Sequence, residues 1–372
     1  MARRTFGSIR KLPSGRFQAS YIGNDGHRHN APRTFHTKTD ANRWLTMEEA
    51  TLINGTWENP SAAYQRSTIP TLFRDYAERH INIQTTHHGD SLRESTKALY
   101  RRLLRHNLHQ FLNVPIADIT VSQINDWWAE SVADGKKTIT SKAYKLLSAV
   151  MNRAVAEGLR TGSPCIVKGA QSATTGKTIV VPTHDEVTAI ATHINPRYKR
   201  FVILCAFAGL RYGEITALTK ADIIPEIRQG KKAYRININK AVTLVEGKHR
   251  VDLPKSRASV RLIPVSSSLT PMIDELLNDL GSATKETLLF PSASGGFLRH
   301  DVFTNSWKPA LKRAGITKSI TPHSLRHFAG TNLAIQGGNL AELKAWLGDS
   351  TTSAVMRYVH DTGRTDKLVE GM

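Results

Sequence analysis

The sequence predicts a multidomain α+β protein. A small three-stranded β-sheet with one helix comes first, then an all-α domain, then a mainly α domain carrying a small antiparallel sheet. Three observations predict this. Short alternating segments separated by Pro-Ser-Gly and Asn-Asp-Gly turns are confined to residues 1–38, the pattern of a β-meander. Apolar residues at helical spacing then run from Leu72 to Val155, with none of the period-two alternation of strands. After residue 178 the helical stripes resume, interrupted by a block of strand-like segments between 234 and 265. At 372 residues the chain has room for two or three domains.

In chain order, strands are expected at 8–11, 17–22 and 33–35, and a helix opening at Thr39-Asp40 and continuing through Trp44, Leu45, Glu48 and Leu52. Residues 55–69 read as a linker. Four stripes define the helical domain. They are Leu72-Phe73-Tyr76-Ala77, then Tyr100 to Leu112, then Ile124-Trp127-Trp128, and finally Ala143 to Val155. Residues 161–177 read as a second linker. Thr183 is a natural N-cap for the next helix, and the largely apolar run 201–208 is a buried helix ended by Gly209. Strands are expected at 234–239, 241–245, 249–253 and 260–265 in one small sheet, and further helices at 271–280, 302–314, 325–336 and 340–347. The domain boundaries that follow are 1–58, 68–165 and 178–372.

Composition narrows the function. Hydrophobic residues make up 40% and charged residues 22%, which suits a soluble protein with real cores. The net charge of +20 points to a polyanionic partner, nucleic acid or an acidic membrane surface. No stretch approaches the ~18 apolar residues of a membrane span, and the N-terminus has no apolar signal region. Two cysteines, Cys165 and Cys205, are too few for a disulfide framework or a zinc site. These features predict a cytoplasmic protein acting on nucleic acid. Residues 1–38 concentrate Arg3, Arg4, Arg10, Lys11, Arg16, Arg28, Arg33 and Lys38 against a single acid, Asp25, and a basic three-stranded ribbon is a shape that enters a DNA groove. Arg101 and Lys142 are among the cations interleaved with the helical stripes of the middle domain. Solvated cationic faces would explain those equally well.

The segment Thr321-Pro322-His323-Ser324-Leu325-Arg326-His327 carries the most chemistry. Thr321 suits an N-cap and Pro322 a first helical position, so His323 and Arg326 share a helix face at i,i+3. A guanidinium and an imidazole near a helix N-terminus make a phosphate pocket, and Tyr358, arriving later, has the chemistry of a nucleophile. Two further features align with it: Arg211 and Glu214 at i,i+3 on a helix start, and Lys255 in an expected hairpin loop at 254–259. Two arginines, a lysine, a histidine and a tyrosine are what phosphoryl transfer from DNA to an enzyme hydroxyl requires. His323 and His327 imitate a zinc-protease pair, but Ser324 stands where its glutamate belongs.

On these segments the chain resembles the tyrosine recombinases, and among them the lambda-type integrases of temperate phages. The matching boxes are Ala208-Gly209-Leu210-Arg211-Tyr212-Gly213-Glu214, Lys255-Ser256-Arg257-Ala258-Ser259-Val260-Arg261, Thr321 to His327, and Leu347-Gly348-Asp349-Ser350 with Tyr358 beyond. The resemblance implies an arm-site domain, a helical core-binding domain and a catalytic domain, the last two enclosing duplex DNA. It implies that Tyr358 attacks the scissile phosphate, leaving a 3′-phosphotyrosine and a free 5′-hydroxyl. Arg211 and Arg326 would clamp the non-bridging oxygens, Lys255 would protonate the leaving oxygen, His323 would assist at the phosphate or the tyrosine, and Glu214 would orient its neighbours. No metal or ATP would be required. The implied partners are double-stranded DNA with core-type and arm-type attachment sites, a homotetramer on DNA, a host DNA-bending protein and an excisionase, with prophage integration and excision as the outcome. One position departs: the family usually has His or Trp where this chain has Asp349. A carboxylate beside a phosphodiester is electrostatically unfavourable unless a cation engages it, and Arg326, His327 and His360 are the expected candidates. A catalytically silent DNA-binding protein and a topoisomerase of the same chemistry are the competing readings.

Overall fold

A computed structural model describes residues 6–57, 70–86, 89–172, 179–254, 257–349, 351–356 and 358. The chain divides into two compact units, Met1–Thr175 and Gly176–Met372.

The first unit opens with β1 (Ser8–Lys11), β2 (Phe17–Ile22) and β3 (Arg28–Asn30), an antiparallel sheet in the order β1-β2-β3. The third strand lies earlier than residues 33–35. The Asn24-Asp25-Gly26 turn (Gly26 φ 74) brings the chain back at once, pairing Arg28 with Ile22. Pro32 cannot donate to the ladder, and Phe35 rejoins it only by a bridge to Phe17. Helix α1 (Lys38–Ile53) is capped by Thr37, two residues before the expected start, whose hydroxyl accepts the Asp40 amide. Ala19 and Tyr21 on the inner face of the sheet pack with Ala41 and Leu45 of α1. The Tyr21 hydroxyl donates to Glu48 (2.6 Å) and accepts from the Trp57 indole (2.7 Å). Trp57 therefore belongs to this core and not to a linker; residues 58–69 lie outside the described residues.

A second core, sharing no residue with the first, is built by α2 (Phe73–Ile83), α3 (Glu94–Asn107), α4 (Val121–Ala133) and α5 (Lys137–Ala156). These are the four expected helices. Thr120 and Gln123 close a capping box on α4 (3.2 and 2.9 Å). Residues 161–172 are not a free linker. The Val167 amide donates to the Tyr144 hydroxyl (2.8 Å), and Ala170 is fully buried in the helical core, so the segment is a strap. Residues 173–178 lie outside the described residues.

In the second unit α6 (His184–His193) starts at the Thr183–Glu186 capping box, and α7 (Pro196–Ala208) ends at Gly209 in the left-handed region (φ 63). Helix α8 (Tyr212–Ala217) follows. The strands form two sheets where one was expected. β4 (Ile223–Arg228), β5 (Lys231–Ile238) and β8 (Arg261–Pro264) pair in the order β4-β5-β8, while β6 (Ala241–Val245) pairs with β7 (Lys248–Asp252). β4 was not expected because Pro225 and Glu226 break its pattern; it is an edge strand, where proline is tolerated. β7 and β8 therefore belong to different sheets, and the hairpin loop expected at 254–259 falls partly outside the described residues, at 255 and 256. Helices α9 (Thr270–Asp279), α10 (His300–Arg313), α11 (Pro322–Ile335), α12 (Leu340–Leu347) and α13 (Thr352–Met356) complete the unit. Phe201 of α7, Phe303 and Trp307 of α10, and Leu325 and Phe328 of α11 share one core. That core holds α11 with its Arg326 edge facing the ends of α7 and α12.

Candidate active site

The site is assembled where helix ends meet. Gly209 ends α7 in a left-handed conformation that glycine adopts freely. A Cβ there would also come within 2.9 Å of a Leu347 methyl, so the close approach of α12 adds to the preference for glycine. The turn leaves Arg211 as the extended residue preceding α8. Its backbone amide donates to Glu214 Oε2 (3.0 Å) and its Nη1 to Glu214 Oε1 (2.8 Å). Glu214 is 2% exposed and also receives both Nη groups of Arg261 (3.1 and 3.0 Å). Arg261 Nε donates to the Trp346 carbonyl (2.8 Å), and Ser259 Oγ donates to the Gly348 carbonyl (3.0 Å). Burial raises the Glu214 carboxyl pKa, but the Arg261 hydrogen bonds, the charges of Arg261 and Arg211 and the Arg211 amide outweigh it and hold the group below its ordinary value.

Arg326 is 1% exposed. Its Nη1 donates to the Gly209 carbonyl and its Nη2 to the Leu347 carbonyl, both at 2.6 Å, so the two helix C-termini fix its fork. Burial and the nearby Arg211 charge pull its pKa below the ordinary arginine value, while Asp349 and Glu214 act in the opposite sense. The two guanidinium groups converge on one atom. Asp349 Oδ1 lies 2.6 Å from Arg211 Nη2 and 3.0 Å from Arg326 Nη2. Arg326 was one of the expected partners of this carboxylate, but Arg211, which was not, makes the shorter contact. His360, another expected partner, lies outside the described residues.

His323 is exposed in the first turn of α11, with its ring 4.8 Å from that of buried His327. The His327 ring lies 5.5 Å from Tyr358. Tyr358 is 5% exposed and packs with Leu343, Leu347 and Val355. Its ring lies flat on Gly330, where a Cβ would come within 3.0 Å of ring atoms. A mid-helix glycine costs about 1 kcal/mol relative to alanine, and here the close approach of the ring accounts for it. Arg211, Glu214, Arg326 and Asp349 thus meet directly, while His323 and Tyr358 join through His327 on α11. Lys255 lies outside the described residues. Three residues of the site were not expected from the sequence: Ser259, Arg261 and Gly330. Arg261 stood in a matched box without an assigned role, and the only signal for Gly330 was a glycine inside a helical pattern.

Of the basic positions in the N-terminal sheet, Arg10 and Arg28 lie on its outer face. There Arg10 donates to Gln18 (2.7 Å) and Arg28 reaches Ser8 and Ser20 (3.3 Å each). Arg16 is half-buried and donates to the Thr34 carbonyl (2.9 Å), and Arg33 stacks over Phe35. Lys11 is exposed at the end of β1; Arg3 and Arg4 lie outside the described residues. In the helical region Arg101 ties α3 to α2 through Glu78 (2.8 Å) and Asn82 (2.7 Å), while Lys142 is exposed on α5. Among the described residues no cluster of three His, Cys, Asp or Glu side chains is arranged to hold a metal, and no helix is long and apolar enough to cross a membrane.

Residues 5–54 match the model of the phage integrase N-terminal domain, and residues 180–364 that of the phage integrase family. The chain is 34% identical over 373 residues to a putative prophage phiRv2 integrase of Mycobacterium tuberculosis, covering 100% of this chain and 95% of that one. Among solved structures, the Tn1549 transposon integrase in complex with transposon right-end DNA superposes with a TM-score of 0.67 at 18% identity, over 81% of this chain and 100% of that one. Lambda integrase superposes over 98% of each chain at 17% identity, with TM-scores of 0.59 as a dimer on a core site and 0.56 as a tetramer on a Holliday junction. The chain belongs to the phage integrase family and is a tyrosine-type site-specific recombinase for prophage integration.

Proposed function

We propose that this chain cuts and rejoins DNA at attachment sites through a 3′-phosphotyrosine intermediate. The Tyr358 hydroxyl attacks the scissile phosphorus and loses its proton; the bond to the 5′-oxygen breaks, and Lys255 supplies the proton that makes a 5′-hydroxyl. Attack by the 5′-hydroxyl of the exchanging strand then releases the tyrosine. The phosphoester energy is conserved throughout, so neither ATP nor a metal is required. Arg211 and Arg326 hold the non-bridging oxygens in planar forks, His323 serves the phosphate or the tyrosine proton, and Glu214 orients Arg211. The observation that carries this reading is the convergence of two guanidinium groups on a single anionic oxygen, at 2.6 and 3.0 Å, beside the helix that holds Tyr358.

The labour divides along the chain. Residues 1–58 read arm-type sites, with Arg10 and Arg28 on the open face of the sheet. Residues 68–165 grip core-type sites, with Lys142 among the contacts, and residues 178–372 do the cutting. Two separate hydrophobic cores within the first unit support that division. The active assembly is a homotetramer on duplex DNA in the bacterial cytoplasm. A host DNA-bending protein brings arm and core sites together, and an excisionase turns the reaction towards excision.

The test is incubation with supercoiled plasmid and with a nicked core-site duplex in EDTA without ATP, quenched in detergent. A covalent protein–DNA adduct is expected, and it should vanish in Tyr358→Phe. Failure on both substrates would leave a DNA-binding protein without strand-cleaving activity as the better reading.

A further inference from the structure

Asp349 occupies the place in the arginine pair that an anionic oxygen of the substrate must take. Each arginine commits one Nη2 hydrogen bond to the same carboxylate oxygen, Oδ1, while its other bonds go to fixed protein acceptors. Arg211 uses Glu214 and the Gly348 carbonyl, and Arg326 the carbonyls of Gly209 and Leu347. The group that shares the two forks is therefore the one that can be exchanged without dismantling the site. Asp349 is placed for that exchange. It follows Gly348, the left-handed cap of α12 (φ 66), and its amide is held by the Lys344 carbonyl (3.2 Å), so rotation of the side chain breaks no backbone hydrogen bond. Its side chain is 14% exposed, against 2% for the Arg326 side chain behind it.

We propose that Asp349 is an internal competitor for the scissile phosphate and sets the affinity of the clamp for phosphate, leaving only when a phosphodiester is delivered into it. The inference rests on the reading of Arg211 and Arg326 as the phosphate clamp. A carboxylate offers both arginines one shared oxygen; a phosphodiester offers two non-bridging oxygens, one for each fork. Once registered over the site, the phosphate is the better ligand. A phosphate brought only by loose, non-specific backbone contact has to displace a tethered anion, which holds strand cleavage back until the core site is correctly seated.

The experiment titrates inorganic phosphate alone into the full chain carrying Tyr358→Phe, with and without Asp349→Asn, and follows binding by calorimetry. An exposed control, Asp118→Asn, changes net charge by the same amount. Removing the competing charge should tighten phosphate binding by about tenfold or more, in the range of coupling between close charges, while Asp118→Asn should leave it unchanged. In chains that retain Tyr358, Asp349→Asn should speed adduct formation on the nicked core-site duplex. Phosphate binding that is unchanged or weaker in Asp349→Asn, or a folded variant that forms adduct more slowly, would overturn the proposal and make Asp349 a support for the arginines. If Asp349→Asn does not fold, Asp349→Ser is measured against the same two outcomes. The Tyr358→Phe arm reports on phosphate binding without the covalent step. Loss of adduct in the parent chain therefore counts against the cleavage mechanism and leaves the competition result readable.

Discussion

Arg326, proposed as one arm of the phosphate clamp, shows how much of a guanidinium's behaviour depends on what surrounds it. Its fork is held by two helix-terminal carbonyls at 2.6 Å, so it is preorganised and its charge is desolvated, the state in which a guanidinium stabilises a transition-state oxyanion most strongly. A lysine there has one point charge and no fork. Arg326→Lys should cut the rate of adduct formation by about 100-fold or more while core-site binding in a gel-shift assay changes far less; equal losses in both would assign Arg326 to binding. Gly330 yields a second prediction. At an open helical position Gly→Ala gains about 1 kcal/mol. Here the added Cβ would lie 3.0 Å from the Tyr358 ring, so Gly330→Ala should lower the melting temperature and slow the adduct by at least about tenfold. A raised melting temperature with normal adduct would show that the tyrosine does not use this slot when it reacts.

At the scale of elements, Glu214 and Arg261 tie α8, β8 and the end of α12 into one unit. The Glu214 carboxyl has a folded pKa below its ordinary value of 4.5. Its contribution to stability is therefore present above the unfolded pKa and is lost as pH falls through the lower folded value. Glu214→Gln should flatten that acid limb. At neutral pH it should cost about 3–5 kcal/mol in urea denaturation, because two arginines lose a buried partner. In the N-terminal sheet, the outer face carries Arg10 and Arg28 over an inner face packed on α1. Replacing each with alanine should reduce the salt slope of arm-site binding by about one unit for every phosphate that the arginine neutralised, without altering the nicked core-site adduct. An unchanged slope would place arm recognition elsewhere.

Across the full chain, a net charge of +20 makes association with DNA largely electrostatic. Core-site affinity should fall by about 10³-fold or more between 50 and 200 mM salt if six or more phosphates are bound. Fluorescence anisotropy across that range measures it, and a shallow slope would mean that most of the cationic surface faces solvent. Charge of this kind draws DNA in without discriminating between sequences. A recombinase therefore needs its cutting chemistry restrained until the correct site is engaged, and Asp349 on the two arginines supplies such a restraint locally.

The helices are legible in the sequence, because apolar spacing and caps such as Thr183 and Thr321 are local rules that act within one or two turns. The class of chemistry is legible as well, since arginine, histidine and tyrosine carry their reactivity wherever the fold puts them. Which groups meet is settled only on folding. The capture of Asp349 by Arg211 joins residues 138 apart in the chain, and no local preference specifies such a pair. The separation of β6-β7 from β4-β5-β8 has the same origin, because strand partners are chosen by packing and not by propensity. Trp57 and the strap at 161–172 read as linkers because their burial depends on Tyr21 and Tyr144, which the chain brings near only in the folded state. Gly330 is the sharpest case: its small size has no local explanation, and its reason is the ring of Tyr358 lying across it.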